Sequence, residues 1–253
     1  MNIVHFTLAN TINYAEVHKF KPVSSHLTEF AMECHKALLT CPNVIKYLLH
    51  KREIDRQAIG KYCIGFFDKA LPFDDEDSQM VNYMPFEELR GCITVPIIDG
   101  DEIVGVQGEL FNANSRTTLN SHLLCPSIVA EPFHFSKSVL RCLSQLDVYA
   151  LQKHGYQNSF CDLSGSVSEM TFDTLRNSGV EVLVYFADVF GADFDVKRAE
   201  ELANYYGVRL CEVKLPFTLS NFGLWDTYQW QLFDKRLSAA LKSCNAYNER
   251  YQA

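Results

Sequence analysis

Downstream of residue 157, strand-like apolar runs alternate with amphipathic helical stretches, and this alternation limits the folds open to the chain. "NSFCDL", "EVLVYFA" and "VRLCEVKLP" have strand length, and "EVLVYFA" is apolar at nearly every position. A run without polar alternation suits a strand covered on both faces. Between the runs, "SVSEMTFDTLRNSG" and "FDVKRAEELANYYG" carry apolar residues at helical spacing and close on Gly179 and Gly207, where helices end. Strand–helix–strand order of this kind calls for a parallel or mostly parallel sheet with helices on its faces. In front of it, "CPSIVAEPF" reads as one more strand and "SKSVLRCLSQLDVYALQKHGY" as a single long helix closed by Gly155.

The amino-terminal half has a different grammar. Leu27, Phe30, Ala31, Cys34 and Leu38 recur at helical spacing, a break falls near Cys41-Pro42, and Val44, Ile45, Tyr47 and Leu48 continue in a second helix. "EIDRQAIGKYCIGFF" supplies a short helix and a strand, and residues 74–88 are an acidic loop. "RGCITVPIIDGDEIVGVQGELF" is a hairpin whose turn is signalled by "DGD". The expected architecture is therefore α/β in three parts: an α+β amino-terminal subdomain (1–120), an α/β subdomain with a mostly parallel sheet (121–216) and a helical tail (217–253). In the tail, Trp225, Trp230, Phe233 and Leu237 fall near helical spacing, a stripe for packing against the body or, second, for docking a partner.

Composition excludes several classes. A chain of 253 residues, 47% hydrophobic and 21% charged, suits a soluble globular protein. No apolar run approaches the roughly 18 residues of a membrane span, and "MNIVHFTLAN" lacks the layout of a secretory signal. A cytoplasmic protein with no membrane partner is expected. The nine cysteines include no C-x-x-C pair, which argues for buried thiols rather than zinc. With 23 basic and 31 acidic residues the net charge is −8, unfavourable for unaided grip on phosphate backbones. His122, His134 and His154 have no nucleophile partner at a recognisable spacing, and the aromatics of 133–135 and 204–207 read as packing ahead of base stacking.

The order of the pieces resembles the RNA-polymerase core of bacterial replicative primases, which ends in a Toprim domain. "FAMECHKALLTCPNVIKYLLHKREIDRQAIGKYCIGFF" is similar to the family's opening helices and "iGfa"-type strand. "LRGCITVPIIDGDEIVGVQGELF" is similar to its "R-x-R-I-M-F-P-I-x-D-x-x-G-x-V-I-G-F-G-G-R" hairpin, and "FSKSVL" to its "F-x-K-x-x-x-L" segment. Residues 146–203, "LDVYALQKHGY" through "KRAEELA", follow the Toprim domain. The likeness covers about residues 27–215, without the family's zinc-binding and helicase-binding domains.

The departures fall on chemistry. Toprim enzymes hold Mg²⁺ with a Glu after the first strand and a D-x-D after a later one, since hard cations need oxygen ligands. Aligning Phe186 and "KRAEELA" places the two aspartates on Ala187 and Val189, with Asp188 at the intervening glycine. The glutamate has two candidate places. Taking "SIVAEPF" as the first strand gives Glu131, and element order favours it because a strand must precede the helix. Matching "LDVYAL" to "E-G-x-x-D-x-x-A-L", which local sequence favours, retains Asp147 but puts Leu143 at the glutamate. Glu131 and Asp188 are then relic candidates for catalysis and, with Asp193, the candidate metal ligands; alternatively Asp188 or Asp193 caps or flanks the following helix. In the hairpin, two arginines of the pattern fall on Cys92 and Glu109. Arg90, Arg116 and Lys137 are the basic residues left for nucleic acid.

The resemblance thus implies a primase-like protein with a degenerate site, an accessory in DNA replication or in mobile-element or phage biology. It would need no cofactor and would act by binding a helicase, another protein or, weakly, single-stranded DNA. The first alternative is an active primase making RNA primers on single-stranded DNA with Mg²⁺ or Mn²⁺. The second is a Toprim-type nuclease.

Overall fold

Helices arise where apolar residues recur at three and four, and strands where β-branched and aromatic runs are cut by turns. The computed structural model of the chain describes residues 24–68, 84–99, 102–111, 118–120, 128–129, 136–142, 144–162, 168–187, 195–217 and 222–251. It divides into two units, Met1–Leu49 with Ile54–Pro126, and His50–Glu53 with Ser127–Ala253. The tail therefore belongs to the second unit, as does the short excursion His50–Glu53.

In the first unit, α1 (Ser24–Leu39), α2 (Pro42–His50, whose last residue enters the second unit) and α3 (Arg56–Lys61) precede an antiparallel sheet. Its strands lie in chain order, β1 (Gly65–Phe66), β2 (Cys92–Asp99), β3 (Glu102–Leu110) and β4 (Thr118–Asn120). The expected hairpin is β2–β3, with Ile93 opposite Glu109. Phe30 of α1 stacks on Phe86 at 4.1 Å and meets Phe67 edge-on at 5.2 Å. Gly65 lies so close beneath α1 that a side chain there would overlap the backbone of Cys34.

The second unit is built on a five-stranded sheet of order β5-β7-β6-β8-β9. Its strands are β5 (Ile128–Val129), β6 (Ser138–Cys142), β7 (Ser159–Asp162), β8 (Val182–Phe186) and β9 (Arg209–Val213). All pairings are parallel except the edge pairing of β5 with β7. Helices α4 (Gln145–Lys153), α5 (Glu169–Asn177) and α6 (Val196–Tyr206) make the crossovers, and α7 (Thr227–Tyr251) follows. From β6 the chain steps to β7 on one side and then to β8 on the other. Right-handed crossovers therefore put α4 on one face and α5 and α6 on the opposite face. Val139, Phe160 and Leu183 meet Phe172, Leu175, Ala199 and Leu202 beneath α5 and α6.

One expectation fails here. The single helix read over "SKSVLRCLSQLDVYALQKHGY" is a strand followed by a helix, β6 and α4. As the central strand, β6 is covered on both faces and shows no polar alternation. Its apolar residues therefore run on into those of α4 and imitate helical spacing. The break is made by Ser144, whose hydroxyl accepts the Leu146 N–H at 3.2 Å as the N-cap of α4.

Candidate functional site

In an open α/β sheet, ligands gather beyond the carboxyl ends of the strands where successive connections diverge. Here that point lies between β6 and β8. The residue after β6 is Leu143, and β8 is followed by Ala187, Asp188 and Val189. Of these four, Ala187 is described, and the other three lie outside the described residues.

Two carboxylates stand near the same end of the sheet, and each meets a buried arginine. Asp162 closes β7; the Arg141 Nε of β6 lies 3.3 Å from its Oδ2, which also accepts the Thr171 hydroxyl at 3.4 Å. Asp147, in the first turn of α4, accepts a hydrogen bond from Arg52 Nη2 at 2.9 Å, both side chains wholly buried. Removing one member of such a pair strands the other charge at about 3–5 kcal/mol. A cation recruited by either aspartate has to displace a guanidinium first. Among the described residues, no three His, Cys, Asp or Glu side chains converge as a metal site does.

Several contacts bring Arg52 to Asp147. The Lys51 carbonyl accepts the Gly223 N–H at 3.2 Å, and a side chain at Gly223 would run into the carbonyl of His50. Glu53 lies 2.9 Å from His154 Nε2, and its carbonyl accepts Lys153 Nζ at 3.3 Å. His154 in turn stacks on Trp230 at 3.7 Å. Glu53 does this from a left-handed backbone (φ 59°), a conformation that costs a non-glycine residue roughly 1–2 kcal/mol. Sequence reading missed Arg52, which lies in "HKRE" and looks like solvated charge. The readable signal was its partner: Asp147 sits among apolar residues of a helix, and a buried acid needs a counter-charge.

The other candidates scatter. Glu131, Asp193 and Arg116 lie outside the described residues, as do His122, His134 and the aromatics of 133–135. Glu131 follows β5, an antiparallel edge strand rather than the strand leading into α4. The cap of α6 is Asp195, whose carboxylate accepts the Arg198 N–H at 3.0 Å, rather than Asp188 or Asp193. In the first unit Arg90 pairs with Glu87 and lies over the Phe67 ring. Cys92 and Glu109 are buried, so the change of sign at 109 falls in the interior. In the second unit Lys137 is exposed and pairs with Glu181 at 2.8 Å. The tail stripe packs inward: Trp225, Phe233 and Leu237 are buried, and Phe233 stacks on Phe186 at 5.7 Å.

No disulfide joins the eight described cysteines, and five of them are buried. Burial, with Cys244 beside it, pushes the Cys211 thiol up to about 12. The Tyr156 phenol donates to the Asp234 carboxylate, and burial followed by that neighbour raises it well above its usual range.

No protein-family model matches the chain, and no curated protein matches it. Solved structures do. The E. coli primase catalytic core superposes with a TM-score of 0.63 at 18% identity, covering 86% of this chain and 80% of that one. A DnaG primase catalytic domain bound to single-stranded DNA gives 0.64 at 17% identity, over 87% and 81%. The zinc-binding and RNA-polymerase domains of the Aquifex aeolicus primase give 0.61 at 15% identity, over 90% and 63%. The chain has the fold of the primase catalytic core.

Proposed function

We propose that the chain is a primase-like protein whose Toprim site has lost its cation ligands, and that it serves DNA replication by binding rather than by polymerisation. The observation carrying this reading is the pair of residues beyond the two diverging strands, Leu143 after β6 and Ala187 after β8. Once β6 is the strand that leads into α4, "LSQLDVYAL" fits "E-G-x-x-D-x-x-A-L" without a gap. The glutamate then falls on Leu143, the aspartates fall on Ala187 and Val189, and Asp147 is retained. The side chains of leucine, alanine and valine offer no oxygen to a hard cation. The residues at these positions do not fit Mg²⁺.

Asp147 supports the same reading, since its carboxylate already serves Arg52 inside the fold. A helicase, another replication protein or a weakly held single strand are the partners this implies, in a cellular, mobile-element or phage setting. The test is ribonucleotide incorporation by the pure chain on single-stranded DNA, with Mg²⁺ or Mn²⁺, alone and with a replicative helicase. No incorporation above buffer is expected. Metal-dependent incorporation that disappears in Asp188→Ala would overturn the reading in favour of an active primase.

A further inference from the structure

Strand β9 ends the sheet, and the outer side of its backbone borders a groove. Arg209 donates its N–H to the Glu181 carbonyl at 2.8 Å, and the Val213 carbonyl accepts the Ala187 N–H at 3.3 Å. Those residues turn their backbone groups toward β8, so Leu210 and Glu212, at alternate positions, turn theirs outward. Among the described residues no strand pairs on that side. The Leu210 carbonyl is met by the Cys244 thiol at 3.8 Å, a weak donor that an amide can displace.

The groove has a volume of about 1160 Å³ and runs along β9 between α6 and α7. Small residues are part of its lining, Ala203 on α6 and Ala240 and Ser243 on α7. Its lining carries three glutamates, Glu181, Glu200 and Glu212, against one arginine, Arg209. Arg209 is occupied: it pairs with Glu181 at 3.4 Å and donates to the Cys244 carbonyl at 3.0 Å. Lys214 approaches Glu212 at 3.4 Å, but Lys214 is largely exposed, and such a pair contributes little. Leu210 packs against the core beneath α5 and α6, so Glu212, two residues on, faces the side of the sheet that carries Glu200 on α6.

We propose that this edge receives an extended, basic segment of a partner protein, added to β9 as a further strand. Its backbone pairs with Leu210 and Glu212, as in other strand-addition complexes. Alternate lysines or arginines face Glu200 and Glu212, and the intervening side chains are small, to fit beside Ala240 and Cys211. The inference rests on the edge of β9 that faces away from β8, and it stands whether or not the chain polymerises nucleotides.

The probe is a fluorescent peptide of about six residues alternating lysine with alanine or valine, titrated against the full chain and followed by amide NMR. Saturable binding is expected, with the Leu210 and Glu212 amides shifting most. Glu212→Pro removes an outward N–H and keeps the bonds to β8, as proline can on an edge. Because it also removes the carboxylate that faces a lysine, it should weaken binding by more than about tenfold, the size of one lost hydrogen bond. Glu200→Lys should weaken it as well, and the matching glutamate peptide should not bind the unaltered chain. If Glu212→Pro disturbs the fold, Ala240→Trp, which fills the groove, decides instead. Shifts scattered over other acidic surfaces, equal binding of the glutamate peptide, or full affinity in Ala240→Trp overturn the proposal. Shifts at β9 that follow protein concentration without peptide do so too, and assign the edge to a second copy of the chain.

Discussion

The second unit treats its acidic positions in two ways. In the interior, Asp147 and Asp162 each sit against a buried arginine. One residue beyond β6 and β8, where the proposed match to the primase pattern would put acids, the chain has Leu143 and Ala187. Replacing an interior carboxylate strands a guanidinium at a cost comparable to a large part of a domain's net stability. Replacing a residue whose task is to hold a cation carries no such folding cost. On the function proposed above, the carboxylates that support packing stay while those that would serve only chemistry are lost, and the fold persists without the site.

The largest effect that can break this contrast is in the interior. Asp147→Ala should lower unfolding stability by about 3–5 kcal/mol in a denaturant titration. The double change Arg52→Met with Asp147→Leu should recover most of it, because a well-packed apolar pair avoids the desolvation of two charges. A loss below about 1 kcal/mol, the scale of an exposed pair, would mean that Asp147 is not held for packing. Asp162→Asn should cost less, about 2 kcal/mol, since its contacts are longer and the amide oxygen still accepts from Thr171.

A smaller effect sharpens the role of the excursion that delivers Arg52. Glu53→Gly relieves the left-handed backbone at the expense of partly exposed contacts to His154 and Lys153. The first gain is roughly 1–2 kcal/mol and the second loss at most about 1. Glycine should therefore leave stability level or slightly higher. Glu53→Ala keeps the strain, loses the contacts and should lower it by about 0.5 kcal/mol; thermal melts of the two variants should differ in sign or clearly in size.

The smallest effect is a pH dependence. The folded state raises the Tyr156 phenol above its ordinary 10.0, so the neutral form is the one that folding favours. Its contribution is complete below pH 10, declines as pH rises past the unfolded value, and is lost above the folded one. Melting temperatures followed upward from pH 9 should fall less steeply in Tyr156→Phe than in the unaltered chain. Equal slopes would show that burial and Asp234 together do not raise the phenol in the folded state.

Much of the fold was legible. "EVLVYFA" and "VRLCEVKLP" became parallel neighbours, and Gly207 ends α6 in the left-handed conformation that glycine tolerates. Ser138–Cys142 was misread because a central strand and the following helix merge into one apolar run. That reading is also why element order favoured Glu131 over Leu143 for the pattern's glutamate. Asp195 was overlooked as a cap because Asp188 and Asp193 compete for the same short loop. Arg52 was hidden for a different reason: its partner lies 95 residues away, and burial of a charge is a tertiary fact that local spacing does not encode.

The central claim, a primase fold without cation ligands, is tested most directly by Mn²⁺ titration followed by electron paramagnetic resonance. The unaltered chain is compared with the triple variant Leu143→Glu, Ala187→Asp, Val189→Asp. The account predicts that the unaltered chain leaves the free-ion signal intact at submillimolar Mn²⁺, and that the triple variant reduces it. Stoichiometric uptake by the unaltered chain, lost in Asp188→Ala, would contradict the account.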